Sequence, residues 1–165
     1  MNEKAEIKQV LQVCVVVRDL QKSMEFYWNI FGIGPWKILT FKSPFMTNTR
    51  VRGKAVSYSM KLGIARIGSM QWELIQPLTG NSIYKEFLDQ KGEGIHHIAC
   101  DMGNYDQAVA TMQKHGIGIL MSGDLPGESF AYMDTEKYLG IVLEIYNRPV
   151  GFKAPVPEGT YPPSN

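Results

Sequence analysis

Net charge, cysteine, histidine and long apolar runs are all scarce in this chain. Lysine and arginine number 17 against 16 aspartates and glutamates, a formal net charge of +1 over 165 residues. Nucleic-acid binding needs a basic field, and none is present. One small anionic ligand remains compatible with this balance. No apolar stretch approaches the roughly 20 residues of a membrane span. The opening "MNEKAEIKQV" lacks the basic-then-apolar pattern of a signal peptide. Cys14 and Cys100 lie in apolar, strand-like runs. One such pair makes no disulfide scaffold, and both read as buried, inert thiols. The expected setting is the cytoplasm, with neither nucleic acid nor membrane as partner. What remains is an ordinary globular composition, 44% apolar and 20% charged. The length suits one well-packed domain or two small repeated modules.

Periodicity organises the chain. "VLQVCVVVRD" (10–19) is rich in β-branched residues and reads as a buried strand. In "LQKSMEFYWNIFGI" (20–33), Leu20, Met24, Tyr27 and Phe31 recur at helical spacing, with Asp19 as N-cap and Gly32 as stop. "WKILTFK" (36–42) reads as a strand, and "SPFMTNTRVRGK" (43–54) as a mobile loop or loose hairpin carrying Arg50, Arg52 and Lys54. Segments 55–68 and 69–77 alternate as two antiparallel strands, and 80–92 is a short connecting helix. The pattern then restarts: a strand at 94–102, a helix at 105–116, and strands at 117–123, 129–135 and 140–147. Beyond Asn147 come Pro149, Pro155, Pro157, Pro162 and Pro163, so this tail cannot join a central sheet and is expected to run extended over the surface.

The order β-α-β-β-β therefore occurs twice, and a repeat constrains the whole fold. The expected fold class is α+β: two such modules, 9–77 and 94–147, paired about a pseudo-twofold axis, with curved mixed sheets forming a cavity. A connecting helix spans 78–93, and the proline-rich tail spans 148–165. Laying Gln12 over His97, and Glu73 over Glu144, aligns strand with strand and helix with helix. These four polar residues, flanked by apolar neighbours, then occupy equivalent places. Alternate residues of a strand share a face, so all four can point into one concave surface. One imidazole, two carboxylates and one amide oxygen make a nitrogen and oxygen site for a divalent first-row metal, with Zn, Ni, Co and Mn all admissible. His96 would then face the other side of the sheet. The plainer alternative has two carboxylates at strand edges and a hydrogen-bonded core histidine.

The chain resembles the vicinal-oxygen-chelate superfamily over about residues 9–147. "QVCVVVRDLQKSMEFY" resembles the opening of glyoxalase I, including glutamine as first metal ligand. "NSIYKEFLDQKGEGIHHIA" resembles the middle of methylmalonyl-CoA epimerases, and "WELIQP" and "VLEIY" match the carboxylate-bearing strands of both groups. The resemblance implies Gln12, Glu73, His97 and Glu144 as metal ligands, with His97 rather than His96 taking the metal. It implies an epimerase, isomerase or glyoxalase-type lyase that moves a proton at a carbon beside a metal-polarised carbonyl. Glu144 would be the base, with Glu73 second. The substrate would be a 2-oxo compound or an acyl thioester, and the protein a homodimer.

The departures bear on substrate. The glutathione-gripping arginines of glyoxalase I correspond to Val16 and Glu93 here, and the second glutamate of epimerases falls near Ser57 or Tyr58. Trp36, Phe41, Met60 and Trp72 are candidates for an apolar wall, although aromatics on strands are more often ordinary core, and Arg50, Arg52 and Lys54 are candidates for an anion receiver, although a solvated charged loop is the better reading of these cations. Two rival readings remain. A non-haem Fe(II) dioxygenase wants two histidines and one carboxylate, which Gln12 denies it. A metal-free binding protein of the bleomycin-resistance type would not need the four polar residues.

Overall fold

The computed structural model describes residues 4–163. In chain order its elements are β1 (Gln9–Val16), α1 (Leu20–Phe31), β2 (Trp36–Phe41), β3 (Thr47–Val51), β4 (Lys54–Ala55), β5 (Ser59–Ile67), β6 (Met70–Thr79), α2 (Ile83–Lys91), β7 (Gly94–Asp101), α3 (Tyr105–Lys114), β8 (Ile119–Leu125), β9 (Glu128–Met133), α4 (Glu136–Leu139), β10 (Val142–Asn147) and β11 (Gly159–Tyr161). The strands form one mixed sheet in the order β11-β2-β5-β6-β1-β7-β10-β9-β8-β3-β4. The α+β class expected from the repeat is the class observed. No helix among the described residues is long and apolar enough to cross a membrane.

The repeat meets at a seam. β1 and β7, the first strands of the two halves, pair antiparallel. Each is flanked on its outer side by the last strand of its own half in parallel, β6 beside β1 and β10 beside β7. The pattern about the seam is therefore symmetric.

Local chemistry sets the helices. Asp19 caps α1 by accepting from the Lys22 amide at 3.1 Å, and Gly32 ends it in the left-handed region at φ 65°. Leu20 and Met24 are the buried stripe of this helix, and they press on β5 at Gly63. A Cβ there would stand 3.0 Å from the Met24 sulfur and 3.2 Å from Leu20 Cδ1, so glycine lets the helix approach the sheet.

Three apolar clusters follow from strand alternation. One lies beneath α1 and contains Val15, Val17, Trp36 and Leu74. A second lies beneath α3, with Cys100, Leu143 and Ile145. The third fills the opposite, concave face, with Cys14, Leu62, Ile75, Met121, Phe130 and Tyr132, and α2 closes one end of it through Ile83 and Tyr84. Trp36 and Trp72 thus pack against α1 on the far side from the cavity, which corrects their reading as wall residues. Phe41 and Met60 do line it.

Two segments differ from expectation in instructive ways. Residues 43–54 contain the hairpin β3-β4, which leaves its own half and pairs with β8 of the other. The proline-rich tail crosses the cavity mouth and adds β11 to β2 at the sheet edge, where proline is tolerated. The short helix α4, capped at its end by Gly140, was hidden between two strand patterns.

Candidate metal and proton-transfer site

The strands bordering the seam carry the site. Gln12 and Cys14 project from β1, Glu73 from β6, His97 from β7 and Glu144 from β10. Register places Cys14 directly between Glu73 on one side and His97 on the other. Gln12 and Glu144 both lie opposite Ala99, one step along. All five side chains are buried, His97 completely.

The sheet thus brings the four sequence-derived residues to one place. Gln12 Nε2 donates to Glu73 Oε2 at 2.7 Å. His97 Nε2 lies 3.7 Å from Glu73 Oε2 and 3.2 Å from Glu144 Oε2. Nevertheless its geometry satisfies no hydrogen bond, and it is a buried nitrogen without a partner. The Tyr146 hydroxyl donates to Glu144 Oε2 at 2.7 Å.

His96 explains how the imidazole is aimed. Along the seam Cys14 opposes His97 and Val15 opposes Ile95, so His96 is an extra residue, a bulge in β7. The bulge breaks the alternation that would have sent His96 to the opposite face. Both rings instead contact Tyr84 and Tyr132, and their Nδ1 atoms are 2.9 Å apart. Burial pushes the His96 pKa down to about 2, with His97 adding to the effect, so His96 is neutral. The Nδ1–Nδ1 contact admits a tautomer in which His97 donates to His96, and in that tautomer the His97 Nε2 lone pair points between two carboxyl groups.

That arrangement is unfavourable without a positive charge. A lone pair faces carboxylate oxygens, and no lysine or arginine among the described residues pairs with Glu73 or Glu144. Burial, then the neighbouring Glu144, raises the Glu73 carboxyl from 4.5 to about 8. A divalent cation resolves both problems. Ligands held at about 2.0–2.2 Å stand roughly 3–3.5 Å from one another, the scale of the separations seen here. The Gln12 amide needs only to turn over to present Oε1 instead of Nε2. The donor set therefore fits a divalent metal.

Cys14 is the residue that sequence reasoning left out of the site. Its thiol is inert by burial, as expected, yet Cys14, Glu73 and His97 have ligand atoms all within 4.8 Å of one another. Burial, followed by Glu73 and Glu144, pushes its pKa well up, so the protein alone keeps it protonated. The position two residues after Gln12 on the same strand was the available signal.

The cavity above this floor is walled by Leu39, Phe41, Met60 and Ile75 from the first half and by Phe130 and Tyr132 from the second. Tyr84 donates to the Tyr132 hydroxyl at 2.6 Å. Arg52 makes a two-pronged pair with Glu86, both contacts 2.8 Å, and Arg50 bonds the Gly53 carbonyl. Together with Lys54 they stand outside the cavity lining, as exposed charges of the β3-β4 hairpin rather than of a loop. Glu93 accepts from the Arg18 amide, and Tyr58 is buried near Tyr84.

A family model described as the glyoxalase/bleomycin resistance protein/dioxygenase superfamily matches residues 11–132. Uncharacterized protein YqjC of Bacillus subtilis is 25% identical over 134 residues, covering 79% of this chain and 86% of that protein. The mitochondrial methylmalonyl-CoA epimerase of Bos taurus is 26% identical over 109 residues, 66% of this chain and 54% of the relative. The chain thus spans about half the length of that enzyme. Among solved structures, methylmalonyl-CoA epimerase from Mycobacterium tuberculosis superposes with a TM-score of 0.66 at 16% identity, covering 90% of this chain and 93% of that one. A Streptomyces coelicolor methylmalonyl-CoA epimerase in complex with 2-nitronate-propionyl-CoA gives 0.66 at 18% identity, with 91% and 100% covered. At such identities these structures share the fold.

Proposed function

Because the chain belongs to the glyoxalase/bleomycin resistance protein/dioxygenase superfamily, we propose that its cavity holds one divalent first-row cation and moves a proton at a carbon next to a carbonyl. Gln12, Glu73, His97 and Glu144 are its ligands, and the substrate is a small acyl thioester or 2-oxo compound. The observation that carries this reading is the His97 Nε2, fully buried without a hydrogen-bond partner and flanked by two carboxyl groups that form no ion pair with a lysine or arginine among the described residues. A metal-free pocket for an aromatic or cationic drug would not need an imidazole nitrogen aimed between the two carboxyl groups. Relatives named as methylmalonyl-CoA epimerases, one with a bound acyl-CoA derivative, support the thioester class.

When bound, the cation supplies Lewis-acid polarisation of a substrate carbonyl, which acidifies the adjacent C–H. The rest is done by the chain. His96 fixes the His97 tautomer, and Tyr84 and Tyr132 pack around the imidazole. The apolar walls exclude water and strengthen the charges within. Glu144 takes the proton: it lies at the cavity surface, and the Tyr146 hydroxyl stabilises and orients its carboxylate. Glu73, on the opposite side of His97, is placed to return a proton from the other side.

The test combines elemental analysis with exchange in D₂O. The purified protein should carry about one divalent cation per chain, and a panel of acyl thioesters and 2-oxo acids should reveal one that takes up deuterium beside the carbonyl. Glu144→Gln should keep the cation and slow exchange by about 10²–10⁴-fold, the usual scale for a general base. A cation-loaded protein inactive across the panel, or a Glu144→Gln variant with undiminished exchange, would refute the assignment.

A further inference from the structure

β10 does more than carry Glu144. Residues alternate beyond it, so Glu144, Tyr146 and Arg148 form one ladder from the floor of the cavity to its mouth, all three lining it. The steps are physically joined. Tyr146 donates its hydroxyl to Glu144, and its ring carries the Arg148 guanidinium 4.5 Å from the centroid. The returning tail brings Phe152 against the same guanidinium, centroid distance 4.6 Å. Arg148 Nε is tied to Glu128, whose side chain is only 4% exposed, while the arginine keeps 40%. Both terminal nitrogens of Arg148 are without a hydrogen bond among the described residues. Lys37, next to β11, lines the same mouth and makes no ion pair among the described residues.

A guanidinium packed against two rings and anchored at Nε has lost its rotational freedom before any ligand arrives. Its free edge presents two parallel N–H groups, the geometry that matches a carboxylate or phosphate. With Glu128 counted, the mouth keeps one net positive charge from Arg148 and Lys37. An arginine serving only to neutralise Glu128 would need no rings packed against it, nor a free fork in a cavity.

We propose that Arg148, aided by Lys37, is a specificity-determining anion site at the cavity mouth, so that the substrate carries a carboxylate or phosphate remote from its reacting carbonyl. Four residue steps of extended chain lead from Glu144 to Arg148, about 13 Å between Cα atoms. The anionic group therefore lies several bonds from the carbon at the floor. The inference rests on the proton-transfer reading for what the molecule does next, but binding of the anion does not require turnover.

The experiment uses the cation-loaded full chain with three probes of similar chain length: pentanoate, butyl phosphate and the neutral 1-pentanol. Binding is measured by calorimetry and by nitrogen-15 resonances of the arginine side chains. At least one anion should bind more tightly than the alcohol and shift the Arg148 resonances, and the preferred probe tells carboxylate from phosphate. Arg148→Met keeps the aliphatic stem and should weaken anion binding by about 10–100-fold while leaving 1-pentanol unchanged. Because this variant strands the buried Glu128, the paired variant Arg148→Met/Glu128→Gln is measured beside it and should show the same loss. Anion binding that persists in both variants, that disappears only when the cation is removed, or that never exceeds alcohol binding overturns the proposal. Anion binding in a protein without proton exchange supports the site and counts against the reaction. Exchange without anion binding overturns the site alone.

Discussion

Glu73→Gln isolates the electrostatic strain at the floor of the cavity. In the metal-free protein the Glu73 carboxyl has its pKa raised from 4.5 to about 8, by burial first and Glu144 second. A raised pKa means that the folded state favours the protonated form. The associated stability is complete below the unfolded value and is lost as pH rises through the folded one. Each pK unit corresponds to about 1.4 kcal/mol, so metal-free wild type should lose on the order of 3 kcal/mol between pH 5 and pH 8 from this group. Glutamine keeps the shape and does not ionise. Urea denaturation of chelator-treated protein at both pH values measures the difference. Glu73→Gln should be nearly level over the window in the part that wild type loses, and it should be the more stable protein at pH 8. Adding the divalent cation should restore wild type at pH 8 and help the variant much less. Equal pH dependence of the two metal-free proteins would show that Glu73 is not the strained group, and the electrostatic case for a cation would fall with it.

Three other changes probe neighbouring links. His96→Leu removes the partner of His97 Nδ1 and should lower cation affinity by about 10–100-fold in a chelator competition, the usual effect of losing such an outer contact. Tyr146→Phe deletes the hydroxyl on Glu144 and should slow deuterium exchange by roughly 10-fold, the value of one hydrogen bond to a charged group, with cation content unchanged. Asp19→Ala should cost about 1 kcal/mol in denaturant unfolding through the lost cap of α1 and leave cation binding intact.

The architecture was legible because it is written in periodicities. Alternation in "QVCVVV" and "WELIQ" separates a helix-covered face from a concave one, and the second copy of the pattern repeats the instruction. Asp19 and Gly32 mark the ends of α1 by chemistry that acts within one turn. Alternation fails where the chain departs from regular pairing. A bulge at His96 depends on how β7 meets β1, a relation between residues far apart in sequence, so no local pattern announces it. The same holds for the hairpin 47–55, whose partner β8 lies in the other half, and for Trp36 and Trp72, whose face is settled by where α1 docks. Tyr146 and Arg148 were visible as the continuation of the Glu144 face, but their role emerges only once the tail folds back to bring Phe152 over the guanidinium.

The seam also decides when the site can exist. Gln12 and Glu73 belong to the first half, His97 and Glu144 to the second, and among the described residues the two pairs of strands that carry them meet at the β1-β7 ladder. Within the first half alone Glu73 keeps Gln12 but lacks the imidazole, and within the second Glu144 keeps His97 and Tyr146 but lacks Gln12 and Glu73. Neither half alone gathers enough donors to hold a cation. Formation of the seam creates the Glu73–Cys14–His97 row and, one step along, the Gln12–Ala99–Glu144 row in the same event. A cation held by these residues would therefore be coupled to pairing of the two halves rather than to the stability of either, and one that binds only the paired state would hold the seam closed.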